Sequence, residues 1–132
     1  MFDTSLAIAR MLYDGFLETY PKVKLIVSHA GAFLPYIAGR MDICFENMVA
    51  VRENVSVLPS ELLREVYYDS VTFRLDALQM CINTGGPDKV LYGSDYPHNI
   101  GDMRGCLSRV DALPFAQRKA IRGTNAQNLF NL

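Results

Sequence analysis

The chain has 132 residues, half of them hydrophobic, and a mean hydropathy of +0.08, which describes one ordinary soluble globular domain or part of one. Thirteen Lys and Arg against fourteen Asp and Glu leave a net charge of −1, so no field of one sign exists to recruit nucleic acid or an anionic membrane. The apolar runs are only a few residues long, too short for a spanning helix, and acidic Asp3 and Asp14 stand where a signal peptide carries basic residues.

Taken in chain order, Asp3 or Thr4 is placed to cap a helix that carries Leu6, Ala9, Leu12, Tyr13, Phe16 and Leu17 near helical spacing, and Tyr20-Pro21 closes it. Lys24 to Ser28 is a short apolar run of the kind that forms a strand covered on both faces. Helical period returns over residues 34–51, with Ile37, Met41, Cys44, Phe45 and Met48 on one face, and Met11 is core-facing by the same criterion. Ser60 is a candidate cap for a short helix through Leu62 and Leu63. Val66 to Asp69 reads as a second strand, and Leu75 to Ile82 as a helix that stops at the Gly85-Gly86-Pro87 turn. A third strand covers residues 89–93, and two or three short helices finish the chain. Strands alternating with helices predict an α/β fold with a parallel sheet.

In such a sheet, chemistry collects at the carboxyl ends of the strands. Each strand here ends in a titratable residue: His29, Asp69 and Asp95. By strand alternation His29 shares a face with Leu25 and Val27, and Asp95 shares one with Leu91 and Gly93. With the middle strand between them, His29 and Asp95 are expected on the order of 10 Å apart. Asp69 is expected to hydrogen-bond loop backbone rather than bind metal. Gly31, Gly39 and Gly93 are read as close-packing positions. Cys44, Cys81 and Cys106 are odd in number and widely spaced, which fits reduced thiols in the cytoplasm rather than a disulfide framework or a CxxC knuckle. Asn54-Val55-Ser56 matches a glycosylation acceptor by chance only, absent secretion.

The run Ser28-His29-Ala30-Gly31-Ala32-Phe33-Leu34-Pro35-Tyr36-Ile37-Ala38-Gly39-Arg40-Met41-Asp42, followed by Gly93-Ser94-Asp95-Tyr96-Pro97-His98, resembles the amidohydrolase-related family that includes aminocarboxymuconate semialdehyde decarboxylase. Leu58 to Glu61, Tyr67 to Asp69 and the closing Asn125 to Phe130 are similar too, in the same order. The resemblance implies a TIM (β/α)8 barrel with one divalent metal, zinc or manganese, at its carboxyl face. It implies Asp95 as a metal ligand and catalytic residue, and His29 beside the metal as a catalytic acid or base. Arg40 and His98 are the implied substrate-binding residues, Arg40 gripping a carboxylate, in some relatives across a homodimer interface. The residue types suit these tasks: carboxylate is a hard anionic ligand, imidazole takes a proton near neutrality, and guanidinium holds carboxylate bidentately. Each also has a plainer use, such as a turn for Asp95, a satisfied carbonyl for His29, a solvated loop for His98, or pairing of Arg40 with Asp42 or Glu46.

The chain departs from the family's pattern in one respect. It has two histidines and no HxH pair, so the remaining metal ligands are expected outside residues 1–132. Three strands, where such a barrel has eight, leave apolar edges uncovered. The expectation is a single partial domain over 1–132, the C-terminal three βα units of a barrel, binding metal poorly and inactive alone unless a second chain completes it. The leading function is a metal-dependent decarboxylase, a carbon–carbon lyase acting on an unsaturated or aromatic carboxylic acid. The alternatives are a metal-dependent hydrolase of an amide, ester or lactone, and a non-catalytic interaction module.

Overall fold

Three short apolar segments pair as a parallel sheet in the computed structural model, which describes residues 1–132. They are β1 (Ile26–Val27), β2 (Tyr67–Asp69) and β3 (Val90–Leu91), in the order β1-β2-β3. Val27, Tyr68 and Val90 stand in register and are fully buried. Parallel neighbours need crossovers, and helices supply them. Helices α1 (Phe2–Tyr13) and α2 (Phe16–Thr19) precede β1, while α3 (Leu34–Asn47) and α4 (Pro59–Leu62) join β1 to β2. Helix α5 (Leu75–Gly85) joins β2 to β3, and α6 (Met103–Asp111), α7 (Phe115–Lys119) and α8 (Asn125–Phe130) close the chain. No helix is long and apolar enough to cross a membrane.

The helices cover one face of the sheet. Leu12, Leu34, Leu63, Leu78, Cys81, Val110 and Ile121 join the buried strand residues in one core cluster, each large aliphatic contributing roughly 1.5–3 kcal/mol by burial. The opposite face is less covered: Ile26 is 46% exposed, and the Lys89 ammonium lies 4.8 Å from the Tyr67 ring centroid. The C-terminal helices are tied to β3 by the buried Asn125 amide, which donates to Pro87 O at 2.8 Å and Val90 O at 2.7 Å.

Several local expectations are corrected. The strands are shorter than 24–28, 66–69 and 89–93, because their chains turn away to build loops. The helix expected over 34–51 ends at Asn47, followed by a 3-10 turn over Val49–Arg52. The helix after β2 runs past Ile82 to Gly85. Neither Asp3 nor Thr4 caps α1, which starts at Phe2. Ser60 lies inside α4, where its N–H donates to the Asp42 carboxylate at 2.9 Å. Met48 is exposed and Met11 only half-buried, whereas Met41 is in the core. Gly39 sits in open space, so no close approach requires it.

Between β1 and α3 the backbone makes a left-handed turn. His29 (φ 58°), Ala30 (51°), Gly31 (82°) and Ala32 (54°) all have positive φ, and His29 O accepts from Ala32 N–H at 2.8 Å. Such φ values cost a residue with a Cβ about 1–2 kcal/mol each. The Asp69 carboxylate, at the end of β2, offsets that cost. Its Oδ2 accepts the His29 N–H at 2.9 Å, and its Oδ1 accepts those of Ala30 at 2.8 Å and Val71 at 3.0 Å. Asp69 thus bonds loop backbone, as its position suggested.

Tyr68 fixes the outer face beneath this turn. Its hydroxyl donates to Leu63 O, and its ring is gripped between two glycines. A Cβ on Gly31 would fall 2.8 Å from the ring, and one on Gly85 2.3 Å. The Gly85→Ala variant therefore overpacks a ring with no room to move, at about 1–3 kcal/mol, and is expected to lower the melting temperature by several degrees in a calorimetric scan. Asp69→Asn sets an amide N–H against backbone N–H groups. It is expected to cost about 2–3 kcal/mol, read as a lower urea midpoint at unchanged slope.

Burial, with the Asp69 charge second, pushes the Cys81 thiol up from 9.0 to about 12. The folded chain keeps this proton where the unfolded chain loses it. The contribution of Cys81 is thus complete below pH 9 and lost as the pH rises toward 12. Urea titrations across that range are expected to show falling stability, with a shallower fall in Cys81→Ala.

Candidate active site

The left-handed turn carries the His29 side chain over the carboxyl end of the sheet rather than along its strand. Past Leu91, Tyr92 N–H is held by Ile121 O at 3.0 Å and Gly93 N–H by the Ser70 hydroxyl at 3.1 Å. Asp95 then takes a positive φ of 62°, its carbonyl accepting His98 N–H at 2.9 Å. The two turns face one another. His29 Nε2 lies 3.6 Å from Asp95 Oδ1, with the side chains 33% and 11% exposed.

This corrects the expected separation of about 10 Å. Strand alternation does not extend to His29, whose turn folds across Asp69. Gly93 lets the third loop approach: a Cβ there would lie 3.0 Å from Asp69 Cβ and 3.1 Å from Val71 Cγ2. At 3.6 Å the imidazole and carboxylate are in contact but beyond hydrogen-bond length. His29 Nδ1 is buried and has no hydrogen-bond partner.

Both side chains line a cleft of about 680 Å³ between the β1–α3 turn and the β2–α5 loop. Its walls are mostly apolar, with Tyr36, Val71, Phe73, Met80 and Ile100 among them. His98 is not on this wall but borders an adjoining recess of about 370 Å³ with His29 and Asp95. Arg40 is exposed on α3 and lines neither. It forms no ion pair with Asp42 or Glu46.

The structure adds two charged residues that strand-end reasoning overlooked. Arg74 and Asp76 also line the main cleft, and Arg74 Nε donates to Asp76 Oδ1 at 2.9 Å while Nη2 donates to Oδ2. The guanidinium hydrogen bonds hold the exposed Asp76 carboxyl below its usual value. The available signal was the place of Arg74 at the end of the loop after β2 and of Asp76 in the first turn of α5. On the same loop Phe73 rests on the Arg109 guanidinium, 5.5 Å from ring centroid to carbon.

An anionic oxygen and an imidazole nitrogen facing each other form two corners of a donor set suited to a divalent cation. The nearly buried Asp95 carboxylate fits that use, whereas the unpartnered His29 nitrogen is the buried Nδ1, not the Nε2 that faces Asp95. No group of three or more His, Cys, Asp or Glu that could hold a metal ion converges in this chain.

Comparisons with known proteins show the family of the chain. Gamma-resorcylate decarboxylase of Polaromonas sp. (strain JS666) is 29% identical over 137 residues, covering 98% of this chain and 41% of that protein. The 2-amino-3-carboxymuconate-6-semialdehyde decarboxylase of Dictyostelium discoideum is 30% identical over 104 residues, covering 76% of this chain and 28% of that protein. The crystal structure of dihydroxybenzoic acid decarboxylase from Polaromonas sp. JS666, with bound manganese and the inhibitor 2-nitroresorcinol, superposes with a TM-score of 0.83 at 27% identity. It covers 97% of this chain and 40% of that one. The chain thus spans between about a quarter and two fifths of the length of the proteins it matches. The amidohydrolase family model matches residues 3–132, and the chain belongs to that family.

Proposed function

We propose that this chain is the C-terminal three βα units of a metal-dependent decarboxylase of TIM-barrel form, acting on an unsaturated or aromatic carboxylic acid. The observation that carries the reading is the meeting of His29 and Asp95, 3.6 Å apart, at the carboxyl end of a parallel sheet. Decarboxylases among the similar proteins support the reaction class. The uncovered sheet face and the incomplete donor set support a longer protein that supplies the other strands and ligands.

Asp95 would hold the metal, zinc or manganese, with His29 beside it; manganese is the ion bound in the Polaromonas structure. When bound, such an ion supplies Lewis-acid polarisation of the substrate. Loss of CO2 leaves an electron pair on carbon, and that carbon must take a proton. The imidazole of His29, at the cleft wall, is the group placed to deliver that proton. His98, in the adjoining recess, contacts the substrate from the side of the third loop. Arg40, exposed on α3, takes a carboxylate presented across a homodimer interface. The apolar walls hold a flat carbon skeleton and exclude water around the departing CO2.

The family's description as amidohydrolases favours one second reading, attack by water on an amide, ester or lactone. Turnover of the full-length protein in 18O-water separates the two. CO2 release with no label in the organic product is expected, and label in that product identifies a hydrolase. In the same protein Asp95→Asn is expected to lower metal affinity at least tenfold, read by elemental analysis after dialysis. Full metal retention removes Asp95 from the centre. Stoichiometric metal on residues 1–132 alone would overturn the need for outside ligands.

A further inference from the structure

We infer that Arg74, oriented by Asp76, determines specificity in the cleft by gripping a second carboxylate of the substrate. The inference rests on the reading of the cleft as a decarboxylase site and deepens it by naming the class of acid it selects, a dicarboxylate.

Among the residues lining the cleft, Arg74 is the one permanent cation. It stands on the β2–α5 loop, whereas Asp95 belongs to the loop after β3, so the cation and the reacting end lie on different walls of one cavity. Asp76 engages the guanidinium from the side, through Nε and one N–H of Nη2. A guanidinium has five N–H groups in a planar fork. Its end edge, formed by Nη1 and the outer N–H of Nη2, therefore remains for a second anion in the bidentate geometry that carboxylates favour.

Asp76 is a positioning residue in this scheme. It accepts the Ala77 N–H at 2.9 Å and so is itself fixed to the start of α5. A fixed partner reduces the rotamer freedom that an exposed arginine loses on binding. The same cleft is lined by Phe73, Tyr36 and Ile100, which suit the face of an unsaturated skeleton. A monocarboxylate occupies the His29–Asp95 end and leaves Arg74 unused. A dicarboxylate engages both ends.

The test compares isophthalate with benzoate on the zinc-loaded full-length protein by isothermal titration at low salt. The unsubstituted chain is expected to bind isophthalate about tenfold more tightly than benzoate, the worth of one charged bidentate contact to a largely exposed guanidinium. Arg74→Gln is expected to bring the ratio to about one with benzoate affinity unchanged. Arg74→Lys is expected to restore only part of it, since ammonium lacks the planar fork. Absence of the preference in the unsubstituted chain, or its persistence in Arg74→Gln, overturns the assignment. Should the full-length Asp95→Asn protein retain metal while Arg74→Gln levels the ratio, the metal-centre reading fails and the Arg74 contact stands. The reverse pattern removes Arg74 alone.

Discussion

The site depends on one carboxylate. Asp69 gathers the backbone N–H groups of His29, Ala30 and Val71 at 2.8–3.0 Å, joining the loop after β1 to the loop after β2. Without an anionic acceptor, successive residues with positive φ would be costly in a chain of L-residues. With it, the turn is fixed and His29 is thrown across the sheet end. Gly93 brings the third loop against Asp69 from the other side. Two of the three strand-end loops are thus bound to the same two oxygen atoms and the third packs against the same side chain, and the His29–Asp95 contact is a consequence.

Packing beneath the sheet end constrains the same turn from below. Tyr68 occupies the space between Gly31 and Gly85, with its hydroxyl satisfied inside the core. Gly31 thus meets two demands, a positive φ and a ring at contact distance. Burial on this face contrasts with the partly open opposite face, where Ile26 remains 46% exposed. A parallel sheet normally has both faces covered. The asymmetry is what a segment of a larger closed sheet presents, which is why the fold and the proposed incompleteness of the metal centre point the same way.

Much of this was legible in the residues, for identifiable reasons. Short apolar runs located all three strands, and their carboxyl-terminal residues marked the loops that build the cleft. Periodicity located α3 and α5, but not their ends, which are closed by local backbone bonds, Met48 N–H to Cys44 O at 2.9 Å and Gly86 N–H to Ile82 O at 2.8 Å, that the spacing of apolar residues does not encode. The separation of His29 and Asp95 was misjudged because alternation holds only while the backbone stays extended. His29 leaves that conformation at once, for a carboxylate 40 residues away. Arg74 and Asp76 escaped notice because they lie beyond the strand end, Arg74 closing a loop whose direction is set by the Val71–Asp69 hydrogen bond and by Phe73 against Arg109, and Asp76 in the first turn of α5.

Charge ties the two ends of the cleft together. Its walls carry Asp95, Asp76 and Arg74, and the last two neutralise one another at close range. An anionic acid entering with its carboxylate toward Asp95 meets an uncompensated negative group. For unit charges about 5 Å apart at an effective dielectric of about 20, that repulsion is about 3 kcal/mol. Binding an acid at this end therefore requires positive charge at Asp95, which a divalent cation provides and which inverts the local preference. The His29 imidazole gives at most one such charge, and only when protonated. Arg74 cannot substitute, since it lies on another wall with Asp76 as its partner, but its free edge can hold a second anionic group. The proposed metal at Asp95 and the proposed selectivity at Arg74 are thus linked electrostatically: the first allows a carboxylate to enter, and the second favours an acid that carries another.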